Sequence, residues 1–141
     1  MDGVIRGTVV VVSLILASWA TGCSSLGPCD RSDDSNPPDL YDGGTVEDGS
    51  YMSSPWTGPF LSFAGGQRYE LRHGLGCLPR FLACWASFSS TGISSGSIAP
   101  PAGNMCVVQE ITDERIVIKN DTCSDMYVLV TAWSPPCTGG E

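Results

Sequence analysis

Seven cysteines and one histidine are the residues of this chain with the clearest chemistry to offer. From Cys77 onward the cysteines Cys77, Cys84, Cys106, Cys123 and Cys137 are separated by 6, 21, 16 and 13 residues. A zinc site is usually built on close C-x-x-C pairs, and none occurs here, so disulfides in an oxidising compartment are the better reading. His73 must carry any acid–base or triad scheme by itself. The sequence marks neither a nucleophile nor an orienting acid beside it. Cys77 is the nearest thiol, and an exported cysteine among six is expected to be oxidised. His73 therefore reads as a packed histidine next to a turn. Trp56, Trp85 and Trp133 are of the type that stacks on sugars. Trp85 and Trp133 fall in strand patterns, however, where core burial is the commoner fate. The Ser/Gly-rich stretch 87–97 lacks the lysine and spacing of a phosphate loop and reads as a flexible connector.

These residues need a compartment, and the N-terminus supplies one. Arg6 precedes the apolar run "TVVVVSLILASWA" over 8–20. Its 13 residues suit the core of a signal peptide, and a membrane span needs about 20. Thr21 and Gly22 are small enough for a peptidase groove, and Cys23 after them supplies a thiol that can carry a lipid. Ala20-Thr21-Gly22-Cys23 resembles the lipobox of bacterial lipoproteins, with Ala20 where that family most often has Leu. The resemblance implies cleavage between Gly22 and Cys23, and diacylglycerol on the Cys23 sulfur. Several acyl chains on one residue anchor firmly, at about 0.8 kcal/mol per buried CH₂. An ordinary secretory signal is the alternative. Cysteine parity opposes it, because giving Cys23 to lipid leaves an even six: Cys29, Cys77, Cys84, Cys106, Cys123 and Cys137. By the same resemblance Ser24 and Ser25 stand where an inner-membrane retention signal would place Asp, which points to the outer membrane. Asn120-Asp121-Thr122 is a glycosylation sequon in form, and a bacterial leader makes it incidental.

Three segments follow: a cleaved leader over 1–22, a lipidated and acidic tether over 23–56, and a folded domain over 57–141. The stretch 24–56 sets seven acids against Arg31 and holds −6 of the chain's formal −8. Pro37-Pro38 and Gly43-Gly44 add to the expectation of a disordered spacer. "DRSDD" and "DLYDGG" do not have the spacing of a calcium loop. No metal or cofactor is expected. No basic stripe is present, and the net charge opposes nucleic-acid binding.

The remainder reads as strands and turns. In 67–73 Tyr69, Leu71 and His73 alternate with Arg68, Glu70 and Arg72, the pattern of a half-buried strand. The run 80–88 is apolar on both faces and reads as a central strand. Runs 105–111, 115–119 and 126–133, with a further strand over 60–63, complete five or six. Thr112-Asp113-Glu114 turns one pair. An all-β, disulfide-supported antiparallel sandwich or small barrel is expected. Up-and-down alternation puts Cys77 and Cys137 near one end and Cys106 and Cys123 nearer the other, leaving Cys29 with Cys84. His73, Leu75, Gly76 and Pro79 between two strands resemble a motif of small β-sandwich modules in phage tail fibres and H-type lectins. That resemblance carries over no ligand-binding residue.

The functional expectation is a membrane-anchored exported lipoprotein presenting a non-catalytic binding or structural β-domain. A lectin-like or adhesive module, taking a glycan or protein ligand, is the first alternative. A small envelope hydrolase or redox enzyme is the second.

Overall fold

The computed structural model describes residues 33–137. The leader, the lipid-attachment position Cys23, its cleavage partner Gly22, and Cys29 lie outside the described residues. Ten strands form: β1 (Asp39–Tyr41), β2 (Thr45–Glu47), β3 (Ser50–Met52), β4 (Leu61–Phe63), β5 (Arg68–Arg72), β6 (Phe81–Ser87), β7 (Ile98–Ala99), β8 (Val107–Ile111), β9 (Arg115–Lys119) and β10 (Met126–Trp133). They make a two-layer β-sandwich. One sheet runs β1-β5-β9-β8, with β1 parallel to β5 and the other pairs antiparallel. The other runs β2-β3-β10-β6-β7, and β4 also pairs β10.

Strand β10 is the longest, and its alternation organises both layers. Met126, Val128, Val130 and Ala132 point inward, where they meet Tyr51, Phe63, Leu71, Ile116 and Ile118. Leu71 and His73 are fully buried and Tyr69 half-buried, as the alternation in 67–73 requires. The charged partners Arg68, Glu70 and Arg72 stand on the outer face. There Arg115 bridges Glu110 at 3.0 Å and Glu70 at 3.6 Å. Val117 pairs across strands with Glu70 and Glu110 and is buried among them.

The count exceeds five or six because the acidic segment is not a spacer from residue 33 onward. It contributes β1, β2 and β3, and the two-residue β7 makes the tenth, so the domain begins no later than Asp33 rather than at 57. Tyr41 and Tyr51 anchor β1 and β3, and β2, exposed along its length, is held by pairing with β3. Tyr51 is 1 % exposed, and the Tyr41 hydroxyl donates to the Ser53 carbonyl at 2.7 Å. The acids stay at the surface, and Asp33 and Asp39 have side-chain partners there. Asp33 pairs with Lys119 at 3.1 Å and accepts from Gln109 at 2.7 Å. Arg68 donates to the carbonyls of Asp33 and Asn36. The hydrogen bond from Lys119 holds the Asp33 carboxyl below the usual range, and its share of stability is lost as pH falls through that lowered value. Composition suggested a coil, but charges directed outward do not prevent pairing.

Disulfides bear out one expected pairing and correct the other two. Cys77 joins Cys137 across 60 residues. Cys84 joins Cys106, not Cys29, and Cys106 does not join Cys123, which is itself disulfide-bonded. Strand alternation within one sheet misplaces Cys84. Its side chain faces inward from β6 and reaches Cys106 beside β8, so the bond staples the two layers where they pack against the core. In the chain-entropy account each closed loop contributes about 3–4 kcal/mol.

Asn120 shows why its sequon is closed. The side chain is fully buried, and its amide nitrogen donates to the carbonyls of Phe63 (3.0 Å), Ala64 (3.1 Å) and Ser124 (2.9 Å). Its oxygen accepts from the Thr122 amide and hydroxyl. Asn120→Ala leaves three carbonyls without this donor and is expected to cost about 3 kcal/mol. The check is the urea midpoint at unchanged slope; a loss below about 1 kcal/mol would show that those carbonyls are satisfied in other ways.

Candidate functional site

The outward side of β10 carries the residues that the core does not use. Cross-strand pairing sets Trp133 opposite Phe81, Thr131 opposite Ala83, and Leu129 opposite Trp85. On the other edge Ser50 and Met52 pair with Trp133 and Thr131. Residues paired in register share a face, so Ser50, Met52, Thr131, Trp133, Phe81 and Trp85 form one outer surface, and Trp56 stands over it. Together they line an open groove of about 300 Å³.

Its rings are accessible: Trp56 is 37 %, Trp133 42 % and Phe81 57 % exposed. Trp85 is more covered, with its ring edge-on to Trp56 at 5.2 Å and 65°. The Trp85 indole nitrogen is buried with no hydrogen-bond partner among the described residues. Ser50 and Thr131 supply the hydroxyls of this surface, and Glu47 lies next to Ser50 on the edge strand. The two strand tryptophans therefore do not enter the core, against the expectation from their strand positions. The same fact explains why 80–88 is apolar on both faces: Leu82, Cys84 and Ala86 face the core, and Phe81 and Trp85 face the groove.

Two loops hold Trp56 in place. The Phe60 amide donates to the Ser90 carbonyl and the Ile93 amide to the Trp56 carbonyl, both at 2.9 Å. Ile93 belongs to a short 3₁₀ turn over Gly92–Ser95, so the Ser/Gly-rich stretch is built rather than merely a connector. Gly92 makes that approach possible. Its φ is +59°, and a Cβ there would run into the Trp56 carbonyl and the Phe60 ring.

The other sequence candidates are placed elsewhere. His73 is fully buried, 3.2 Å from the Leu75 amide through Nδ1 and 3.1 Å from the Thr112 carbonyl through Nε2. An accepting Nδ1 and a donating Nε2 define one neutral tautomer, with both nitrogens committed to the main chain. The ring packs edge-on against Tyr51 at 6.3 Å. Cys77 is bonded to Cys137, so His73 and Cys77 do not form a thiol dyad.

No protein-family model, curated protein or solved structure matches the chain.

Gly92→Ala tests how the groove is held. The variant is expected to lose about 1–3 kcal/mol from strain at a left-handed position. Its tryptophan emission should shift to the red as Trp56 separates from Trp85. A variant with unchanged emission and stability would show that Trp56 is held by other contacts.

Proposed function

We propose that this chain is an exported lipoprotein, anchored through lipid on Cys23 in the outer membrane of a bacterium, whose β-sandwich is a lectin-like binding module without catalysis. The observation that carries the binding role is the aromatic groove on the outer face of the β10 sheet. Exposed large aromatic rings are costly on a soluble surface unless something covers them. Flat rings flanked by a few hydroxyls match a sugar, whose C–H faces are apolar and whose rim is polar. Trp56, Trp85, Trp133 and Phe81 supply the faces, and Ser50 and Thr131 the directional partners. Trp133 and Phe81, the more open pair, are the expected anchors.

The envelope location rests on the leader and on the cysteine arithmetic. By that arithmetic Cys23 goes to lipid and six cysteines remain to pair; the five among the described residues, Cys77, Cys84, Cys106, Cys123 and Cys137, are all disulfide-bonded. The expected intact mass of protein from the membrane fraction begins at Cys23 and includes acyl groups, and a soluble chain without acyl groups would overturn the anchor.

A glycan array probed with the folded protein tests the ligand. Binding should weaken at least tenfold in Trp133→Ala, in line with loss of one aromatic anchor, while the urea midpoint changes little. A folded sample that binds no glycan, or a Trp133→Ala variant that binds as well as the parent, would remove the lectin reading.

A further inference from the structure

We propose that the Cys77–Cys137 disulfide is a thiol-exchange site, opened by a small thiol attacking at Cys137. Three features distinguish it from Cys84–Cys106. Cys137 is exposed, whereas Cys84 and Cys106 are half-buried against the core. The bond borders an open cavity of about 280 Å³ lined also by Leu78, Arg80, Ser134 and Pro135. Polar groups surround both sulfurs. The Ser134 hydroxyl lies 3.0 Å from the Cys77 sulfur, and the Leu75 carbonyl lies 3.3 Å from the Cys137 sulfur.

That arrangement assigns a role to each sulfur. An incoming thiolate RS⁻ bonds to Cys137 Sγ, the Cys77–Cys137 bond breaks, and its electron pair leaves on Cys77 Sγ. The Ser134 hydroxyl, which also lies 3.0 Å from the Pro135 carbonyl, turns its proton to the new thiolate. Arg80 adds positive charge to the same cavity. A lower-energy leaving thiolate speeds exchange, and of the polar groups near Cys77 Sγ the Ser134 hydroxyl is the nearest and can donate to it, the Leu75 and Pro135 carbonyls lying farther off at 3.9 and 3.8 Å. A second RS⁻ then attacks the small-molecule sulfur of the mixed disulfide, releasing RS–SR and a Cys137 thiolate. The two protons lost by the incoming thiols are returned to the two cysteines. Two thiols are oxidised and one protein disulfide is reduced. The Cys137 thiol then has the Leu75 carbonyl as its acceptor. Around Cys84–Cys106 the apolar packing disfavours a thiolate, so that bond should resist exchange.

The test uses the full-length protein in a series of glutathione redox buffers, quenched with an alkylating agent and mapped by peptide mass. Cys77–Cys137 should open at ratios that leave Cys84–Cys106 intact, with the glutathione adduct on Cys137. Ser134→Ala should slow opening roughly fivefold, the worth of one hydrogen bond, and Ser134→Thr should restore it. Protection of Cys84–Cys106 in each variant reports that the fold is retained. Simultaneous opening of both bonds, an adduct on Cys77, or an unchanged rate in Ser134→Ala would overturn the proposal.

Discussion

Strand β10 is the constraint on which the rest depends. It pairs with β6 over seven residues, from Tyr127 to Trp133. On its other edge it pairs first with β4 and then with β3. A strand buried on one face and used on the other must alternate without a slip, because a shift of one residue exchanges the two faces. In β10 such a shift would send Val128 and Val130 outward and Trp133 into the core. The duplicated pairing resists it. Between β3 and β4 the Ser53 hydroxyl accepts from the Val130 amide at 2.9 Å, so the ladder is not broken where the partner strand changes.

The two outer faces are chemically opposite. Over the β5–β9–β8 sheet, Arg72, Arg115 and Lys119 meet Asp33, Glu70, Glu110 and Asp121 in a network of ion pairs, and Arg68 hydrogen-bonds Gln109 beside it. Individual exposed pairs are weak, but here they also clasp the chain at Asp33 and Asn36 to the sheet through Arg68 and Lys119. Over the β10 sheet the surface is aromatic. The stretch from Asp33 to Asn36 is thus held on the face opposite the groove, while Ser50, Met52 and Trp56, further along the same acidic segment, line the groove itself.

Two buried polar side chains fix the loops that frame these faces. Asn120 gathers the ends of β4 and β9, and His73 joins the end of β5 to the 112–115 turn. Both are saturated with main-chain partners, as burial requires. They are the chemically conspicuous residues of the sequence, and the fold spends them on structure. The residues that the groove offers to a ligand are aromatic side chains that would pass, in a linear reading, as core.

Six of the ten strands, the all-β class, the faces of 67–73, the Thr112 turn and the Cys77–Cys137 bond were legible in the sequence. All follow from period-two alternation and from turn chemistry, which act over a few residues and leave a local trace. Strand β7 is only two residues long and leaves no alternation to read, and strands β1 to β3 were hidden because their segment is acidic and their pairing depends on distant anchors such as the core around Tyr51. The Cys84–Cys106 bond depends on how two layers face each other, which no spacing reports. The groove was hidden for the same reason. Alternation says that Trp133 and Val130 lie on opposite faces, but only the packing of a second sheet against Val130 decides which of them is left in solvent.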